Sequence, residues 1–344
     1  MFYRGKTIFI VYVDDGIFAG PDDGEIDAAI CDLEKKGLDL KDKGDITDYL
    51  GVNIESLPDG RVKLSQPHLI KRIIEEVKPQ TSSIRHTPAL STKILRRDAA
   101  APPFDNRWHY RRVIGLLNFL EKSTRPEIAY ATHQCARFSE DPRRSHGAAV
   151  ETLVKYLAAT PDQGIILDPQ GDKGFEVYAD ADFCGNWYRP TASQDPGTAK
   201  SRSGYTINFA GCPIIWASKL QTQVALSTTE AEYIALSQAL RDVIPVMQLI
   251  QEFQKLGFKT LSSCPKVYCK AFEDNAGALE LARTPKLCPR TKHINIVYHH
   301  FRTYVRNGTI KIFPITSVNQ IGDLFTKPLP RDLFVRHRKK LLGW

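Results

Sequence analysis

Four acidic residues in the second half of the chain stand where secondary-structure elements are expected to end. Asp180 closes a β-rich run in Tyr178-Ala-Asp-Ala-Asp182, and Glu232 lies in the first turns of a helix. Asp274 follows a short strand in Glu273-Asp-Asn275, and Asp323 falls in the last helical segment of this half. Any one of them alone reads as an ordinary surface acid. Four carboxylates brought to one point repel strongly unless divalent cations neutralise them, and carboxylate oxygens are the donors that suit Mg2+, with Mn2+ as the alternative. Two such ions about 3.5–4 Å apart form the arrangement for in-line attack of water on a phosphodiester. Asp182 and Glu230 are the rival positions. Asp182 reads as an outer acid, and Glu230 ranks behind Glu232 because a capping role already explains it.

The elements that must carry these acids are legible as a pattern. Phe175 to Ala179, Ser203 to Ala210 and Pro213 to Ser218 read as strands, the last two joined at Gly211-Cys212. Ser227-Thr-Thr-Glu230 is a capping box, in which each end satisfies the other's free backbone N–H, and it opens a helix that Pro245 is expected to kink or end. Val267 to Lys270 reads as a strand and Ala276 to Ala282 as a helix. Ile296 to Asn307 reads as a helix stopped by Gly308, Thr309 to Pro314 as a strand, and Asn319 to Thr326 as a last helical segment.

The first half has its own acidic pair. Thr7 to Tyr12 and Ile17 to Ala19 read as a hairpin with Asp14 and Asp15 at its turn. A second hairpin runs from Tyr49 to Leu64, turning at Pro58-Asp59-Gly60, and His68 to Val77 shows helical periodicity. Residues 92–106 have linker composition. Helices are expected over Tyr110 to Thr124, Glu127 to Phe138 and Ser145 to Ala159, with a boundary at Asp162 to Gly174.

A chain of 344 residues with 42% hydrophobic and 25% charged residues is long enough for two cores and excludes wholesale disorder. The longest apolar run, Ile8 to Val13, is far short of the ~20 residues that span a bilayer, and it has no cleavage site of a secretory signal. Seven scattered cysteines without a C-x-x-C pair argue against zinc and for reduced thiols, so an intracellular location is expected. The net charge is +8, and no acid occurs from Leu281 to Gly322, a stretch holding Arg283, Arg290, Lys292, Arg302, His293 and other cations. One-sign clustering of this length suits contact with a polyanion.

Tyr178-Ala-Asp-Ala-Asp-Phe-Cys-Gly185, Ser203-Gly-Tyr205, Ile214-Ile-Trp-Ala-Ser-Lys219 and Leu226-Ser-Thr-Thr-Glu-Ala-Glu-Tyr-Ile-Ala-Leu236 resemble the ribonuclease H domain of copia-type retrotransposon Pol polyproteins. So do Glu273-Asp-Asn275, Arg290-Thr-Lys-His-Ile294 and Asp323-Leu-Phe-Thr-Lys-Pro-Leu329. The resemblance implies cleavage of the RNA strand of RNA–DNA hybrids with magnesium. It implies that Asp180, Glu232, Asp274 and Asp323 hold metal, and that Asn275, Arg290, Lys292 and His293 contact nucleic acid. Tyr12-Val-Asp-Asp15, Tyr49-Leu-Gly-Val-Asn-Ile54 and Leu64-Ser-Gln-Pro67 resemble the reverse-transcriptase palm of the same family. Tyr110-Arg-Arg-Val-Ile-Gly-Leu-Leu-Asn-Phe-Leu120, Thr124-Arg-Pro-Glu-Ile128 and Val154-Lys-Tyr-Leu-Ala-Ala-Thr160 resemble the segment that follows it.

The expected fold class is therefore α/β (α+β). Residues 1–91 are expected as the end of the palm, 92–170 as a mostly helical thumb or connection, and 171–330 as a ribonuclease H-like mixed five-stranded sheet with flanking helices. Residues 331–344 are expected as a basic tail. Only 13 residues precede Asp14, so the family's further polymerase aspartate is expected to be missing, leaving Asp14 and Asp15 as a metal-binding remnant without polymerase activity. The expected partners are an RNA–DNA hybrid and the upstream Pol segment or another Pol copy, but no membrane. The expected setting is a cytoplasmic virus-like particle, with the nucleus as a second location. The alternatives are a non-catalytic nucleic-acid-binding remnant, and part of a longer active reverse transcriptase.

Overall fold

The computed structural model describes residues 1–79, 83–90, 94–97, 100–193, 195–260, 267–284 and 296–344. Strands β1 (Phe2–Arg4), β2 (Thr7–Tyr12) and β3 (Asp15–Ala19) form an antiparallel sheet in that order, followed by helix α1 (Asp23–Lys35). Phe9 stacks on Phe18 with ring centroids 4.3 Å apart. Burial is otherwise slight: in residues 1–40 only Thr7 and Ala29 are buried, and the apolar hairpin tip is open, with Tyr12 60% and Val13 81% exposed.

The next elements are β4 (Asp48–Tyr49), β5 (Val52–Ser56), β6 (Val62–Ser65) and helix α2 (Pro67–Val77). Helices α3 (Tyr110–Ser123), α4 (Ala129–Ala136) and α5 (Arg144–Ala158) and strand β7 (Ile165–Leu167) follow. β7 pairs with β6, completing an antiparallel sheet β4-β5-β6-β7, while α2 packs on α3 and α5. Residues 48–77 thus share one core with residues 110–167, through Ile70, Ile73, Leu117, Leu120, Val154 and Leu157.

Inside that core lies a fully buried ion pair, Arg125 Nε to Glu127 Oε1 at 2.6 Å. Arg125 also donates to Thr160 O and Oγ1 at 2.9 and 2.8 Å, and Tyr156 Oη donates to Glu127 at 3.2 Å. The Trp344 ring lies 5.3 Å from the Arg125 guanidinium, and its Nε1 donates to Gly164 O at 2.6 Å.

The second half is built on β8 (Phe175–Asp182), β9 (Arg202–Phe209), β10 (Cys212–Leu220), helix α6 (Thr228–Lys255), β11 (Cys269–Glu273), helices α7 (Ala276–Arg283) and α8 (Arg302–Arg306), β12 (Ile310–Pro314) and helix α9 (Arg331–Leu342). The sheet order is β10-β9-β8-β11-β12, with β8, β9 and β10 antiparallel and β8, β11 and β12 parallel. Strands β9 and β10 meet through Ala210-Gly211, at φ +51° and +82°, as a two-residue hairpin with matching twist requires. Phe175, Val177 and Ala179 alternate onto the face covered by α6. Tyr178 and Phe272, stacked 4.7 Å apart, join the helical core on the other face.

Three local expectations change. Helix α6 passes through Pro245 and continues to Lys255, because burial of Val243, Ile244 and Met247 outweighs one missing backbone hydrogen bond. Ile296–His299 is a 3-10 turn, and only Arg302–Arg306 is α-helical before Gly308 at φ +76°. Residues 331–344, expected as a basic tail, form α9 instead, because Phe334, Leu341 and Leu342 have an apolar core to bury against. No helix among the described residues is long and apolar enough to cross a membrane.

Replacing Glu127 by Gln leaves the Arg125 guanidinium buried without its counter-charge. The expected loss is about 3–5 kcal/mol of unfolding free energy, read as a lower urea midpoint. An unchanged midpoint would mean that the pair does not support this core.

Candidate metal centre

The chain adds β9 and β10 on one side of β8, then returns to add β11 and β12 on the other. The crevice at the carboxyl ends of β8 and β11 is therefore the point where strand order reverses, the usual ligand position in open sheets with parallel strands. Phe272 pairs with Tyr178, and continuing that parallel register sets Asp274 beside Asp180. Glu232 reaches the same point from the first turns of α6. A carboxylate oxygen from each of Asp180, Glu232 and Asp274 lies within 4.8 Å of the other two.

Local capping fixes where Glu232 stands. Ser227 Oγ accepts the Glu230 N–H at 3.1 Å. The other arm differs from the expected capping box, since Glu230 Oε2 accepts from Leu226 N at 2.7 Å. Ser317 Oγ donates to Asp274 Oδ2 at 2.7 Å, and Thr326 Oγ1 donates to Asp180 Oδ2. Glu232 Oε2 is buried without a hydrogen-bond partner.

Asp323 arrives on a 3-10 turn, Ile321–Phe325, pressed onto β8 and β9. Two glycines permit the approach. A Cβ on Gly204 would sit 2.6 Å from Phe325 Cβ and from Thr326 Cγ2, and one on Gly322 would sit 2.9 Å from Asp180 Cβ. Gln320 Nε2 pins the turn by donating to Ala179 O at 2.8 Å. Asp323 does not face the other acids bare: Lys327 Nζ lies 2.7 Å from Asp323 Oδ1 and 3.7 Å from Asp180 Oδ2.

Burial and mutual repulsion shape the charges. Desolvation raises Asp180 and pushes Glu232 well above the usual carboxylate range, with the neighbouring acids adding to it. Burial pushes Asp323 up to about 7, against the pull of Lys327. Glu273, buried at the end of β11, is pushed up to about 8 by desolvation although it accepts the Asn275 N–H at 3.0 Å. The same acids raise the Lys327 ammonium against its own desolvation.

The other expected residues that the structure describes stand outside this group of acids. Asn275 Oδ1 caps α7 by accepting the Ala278 N–H at 2.9 Å, and it accepts Thr229 Oγ1–H at 3.3 Å. Asp182 lies against Gly185 and is not in the three-acid group. Arg290, Lys292 and His293 lie outside the described residues. Of the other cations in the acid-free stretch, Arg283 and Arg302 donate to Ile312 O and Leu281 O, so both also serve the fold. Asp14 and Asp15 are exposed at the β2–β3 turn, and among the described residues no third His, Cys, Asp or Glu joins them as a potential ligand.

No family model matches the chain. Transposon proteins do. Over 98% of its length the chain is 31% identical to the retrovirus-related Pol polyprotein from transposon RE1 and 30% identical to that from RE2, both of Arabidopsis thaliana. Over 95% of its length it is 32% identical to the retrovirus-related Pol polyprotein from transposon TNT 1-94 of Nicotiana tabacum. The chain belongs to the copia-type Pol polyproteins. It spans between a fifth and a quarter of the length of these relatives, 22%, 22% and 24%.

Within this Pol segment, sequence reasoning missed Ser317, Gln320, Thr326 and Lys327. Thr326 and Lys327 lie in the Asp323-Leu-Phe-Thr-Lys-Pro-Leu329 motif, but nothing in their spacing shows that the turn folds back onto Asp180. Gly204 carried the clue to that contact, being a glycine inside a strand, which marks close backbone approach.

Two outcomes follow from this geometry. Gly204→Ala should displace residues 325–326 and destabilise the protein by about 1–3 kcal/mol, the usual effect of overpacking, read as a lower denaturation midpoint. Asp323 and Glu273 titrate higher in the folded protein than their ordinary values. Their contribution to stability is therefore complete below about pH 4 and is lost as pH rises through about 7 and 8. A divalent cation held by the neighbouring Asp180, Glu232 and Asp274 would favour the ionised form of both acids and offset that loss. Mg2+ should raise the melting temperature more at pH 8 than at pH 5.5. Comparing the two pH values with and without Mg2+ isolates this cluster from buried His337, which desolvation pushes down to about 4. An equal Mg2+ effect at both pH values would separate the cation from these acids.

Proposed function

We propose that this segment of Pol is a metal-dependent nuclease of the ribonuclease H type, cutting the RNA strand of RNA–DNA hybrids. The observation that carries the reading is the convergence of Asp180, Glu232 and Asp274 at the strand-order reversal of a mixed five-stranded sheet. The donor set fits Mg2+ or Mn2+: all carboxylate, with the buried Glu232 Oε2 short of a partner. When bound, such an ion activates water and offsets charge on the phosphate.

The chain's own groups prepare that chemistry. Ser317 and Thr326 hold the carboxylates of Asp274 and Asp180 in place by hydrogen bonds. Asp323, tied to Lys327, is the fourth acid. In this reading Arg290, Lys292, His293 and the amide nitrogen of Asn275 contact the backbone of the hybrid, and contacts to 2′-hydroxyls select RNA.

Residues 1–91 and 92–170 are read as the end of a palm and its connection. Asp14 and Asp15 are exposed and no third acid joins them among the described residues, which favours reading this pair as a remnant rather than a working site of nucleotide transfer.

The test is cleavage of a labelled RNA–DNA hybrid by the purified chain, with and without Mg2+, beside Asp274→Asn. Asp274 is half-buried, so its replacement spares the core. Outer-shell changes alone cost about 10–100-fold at metal sites, and loss of a direct ligand should cost at least the upper figure. Hybrid binding by a folded protein that never cleaves would replace this reading with that of a non-catalytic nucleic-acid-binding segment.

A further inference from the structure

Lys327 lies inside the acidic centre. Its Nζ bridges Asp323 Oδ1 at 2.7 Å and Asp180 Oδ2 at 3.7 Å. The preceding residue, Thr326, is buried and hydrogen-bonded to the same Asp180 oxygen, so the backbone that carries the lysine is anchored at the site. The Gly204 and Gly322 contacts fix that backbone further. Lys327 is thus held over these two acids by its backbone as well as by charge.

The two sides of the centre are occupied differently. On one side Glu232 Oε2 is buried and unpartnered, and it lies with Asp180 and Asp274 in a group of mutual ligand reach. On the other side, between Asp180 and Asp323, an ammonium already stands where a second divalent ion would have to bind both carboxylates. An ammonium and a divalent cation cannot share that space, and their charges repel.

We propose that Lys327 is a resident cation of this centre: the protein free of nucleic acid binds one divalent ion, at Asp180, Glu232 and Asp274, and a second ion binds beside Asp323 only when Lys327 leaves. The side chain is 40% exposed, which leaves it room to turn outward. A phosphodiester oxygen is the alternative acceptor for its ammonium, so arrival of a nucleic-acid backbone would open the second place. This inference rests on the metal-centre reading and is independent of whether the segment cleaves RNA.

The stoichiometry of Mn2+ binding to the full chain, read from the spin-resonance signal of free Mn2+, tests it. The wild type should bind one ion, Lys327→Met two, and Lys327→Arg, which keeps the charge, one. Two ions of similar affinity on the wild type would overturn the proposal without any variant. A folded Lys327→Met protein that still binds one ion would overturn it as well, with Lys327→Gln as the replacement should the Met variant fail to fold. No ion on any of them would remove the metal centre and this proposal together. Hybrid cleavage assayed on the same samples separates the two claims, since one ion without cleavage sinks only the nuclease reading.

Discussion

The close approach of residues 320–327 to strands β8 and β9 is the contact on which both the site and the assembly of the two halves depend. It exists because Gly204 and Gly322 carry no side chain at the points of nearest passage. Leu324 and Phe325 enter the helical core, while Thr326 and Lys327, directly after them, reach Asp180. A packed core resists displacement of its side chains. The acids are therefore positioned by the same contacts that join the sheet to the helices.

Two buried ionic groups in this protein behave in opposite ways. The Arg125–Glu127 pair is balanced in charge: the guanidinium has the carboxylate, Thr160 and the rings of Tyr156 and Trp344 around it, and Glu127 Oε2 alone keeps no hydrogen-bond partner. That network ties α5 and the end of the chain to the segment between α3 and α4. The acids around Asp180 are unsaturated, with four carboxylates and Glu273 beside them against one ammonium among the described residues. Burial raises their proton affinities because the anions have lost water without gaining enough positive charge. An ionic cluster short of cations in a crevice marks a place for ligands, whereas a charge-balanced pair in a core marks packing.

The first sheet makes the same contrast in apolar terms. Strands β1 to β3 bury almost nothing, and the tip that carries Asp14 and Asp15 is open to water. The five-stranded sheet is covered by α6 on one face and by the helical core on the other. The acids of the five-stranded sheet lie buried beside one another, and that burial raises their proton affinities.

Much of this was legible in the amino-acid order. β-rich runs marked β8 and β9, Ser227 marked the start of α6, and Asp180, Glu232 and Asp274 stood where elements were expected to end. The family was legible too, in runs such as Tyr178-Ala-Asp-Ala-Asp182. Other features depended on distant partners. Pro245 continues α6 because its neighbours are buried, and α9 is a helix rather than a tail because a core is available to it. The Glu230 carboxylate accepts from Leu226 N in the folded turn. The sequence by itself determined which residues carry charge and which elements hold them, since propensity and periodicity are local. Tertiary structure alone decided that Lys327 stands between Asp180 and Asp323, because that depends on a turn 140 residues downstream finding two glycines in its path.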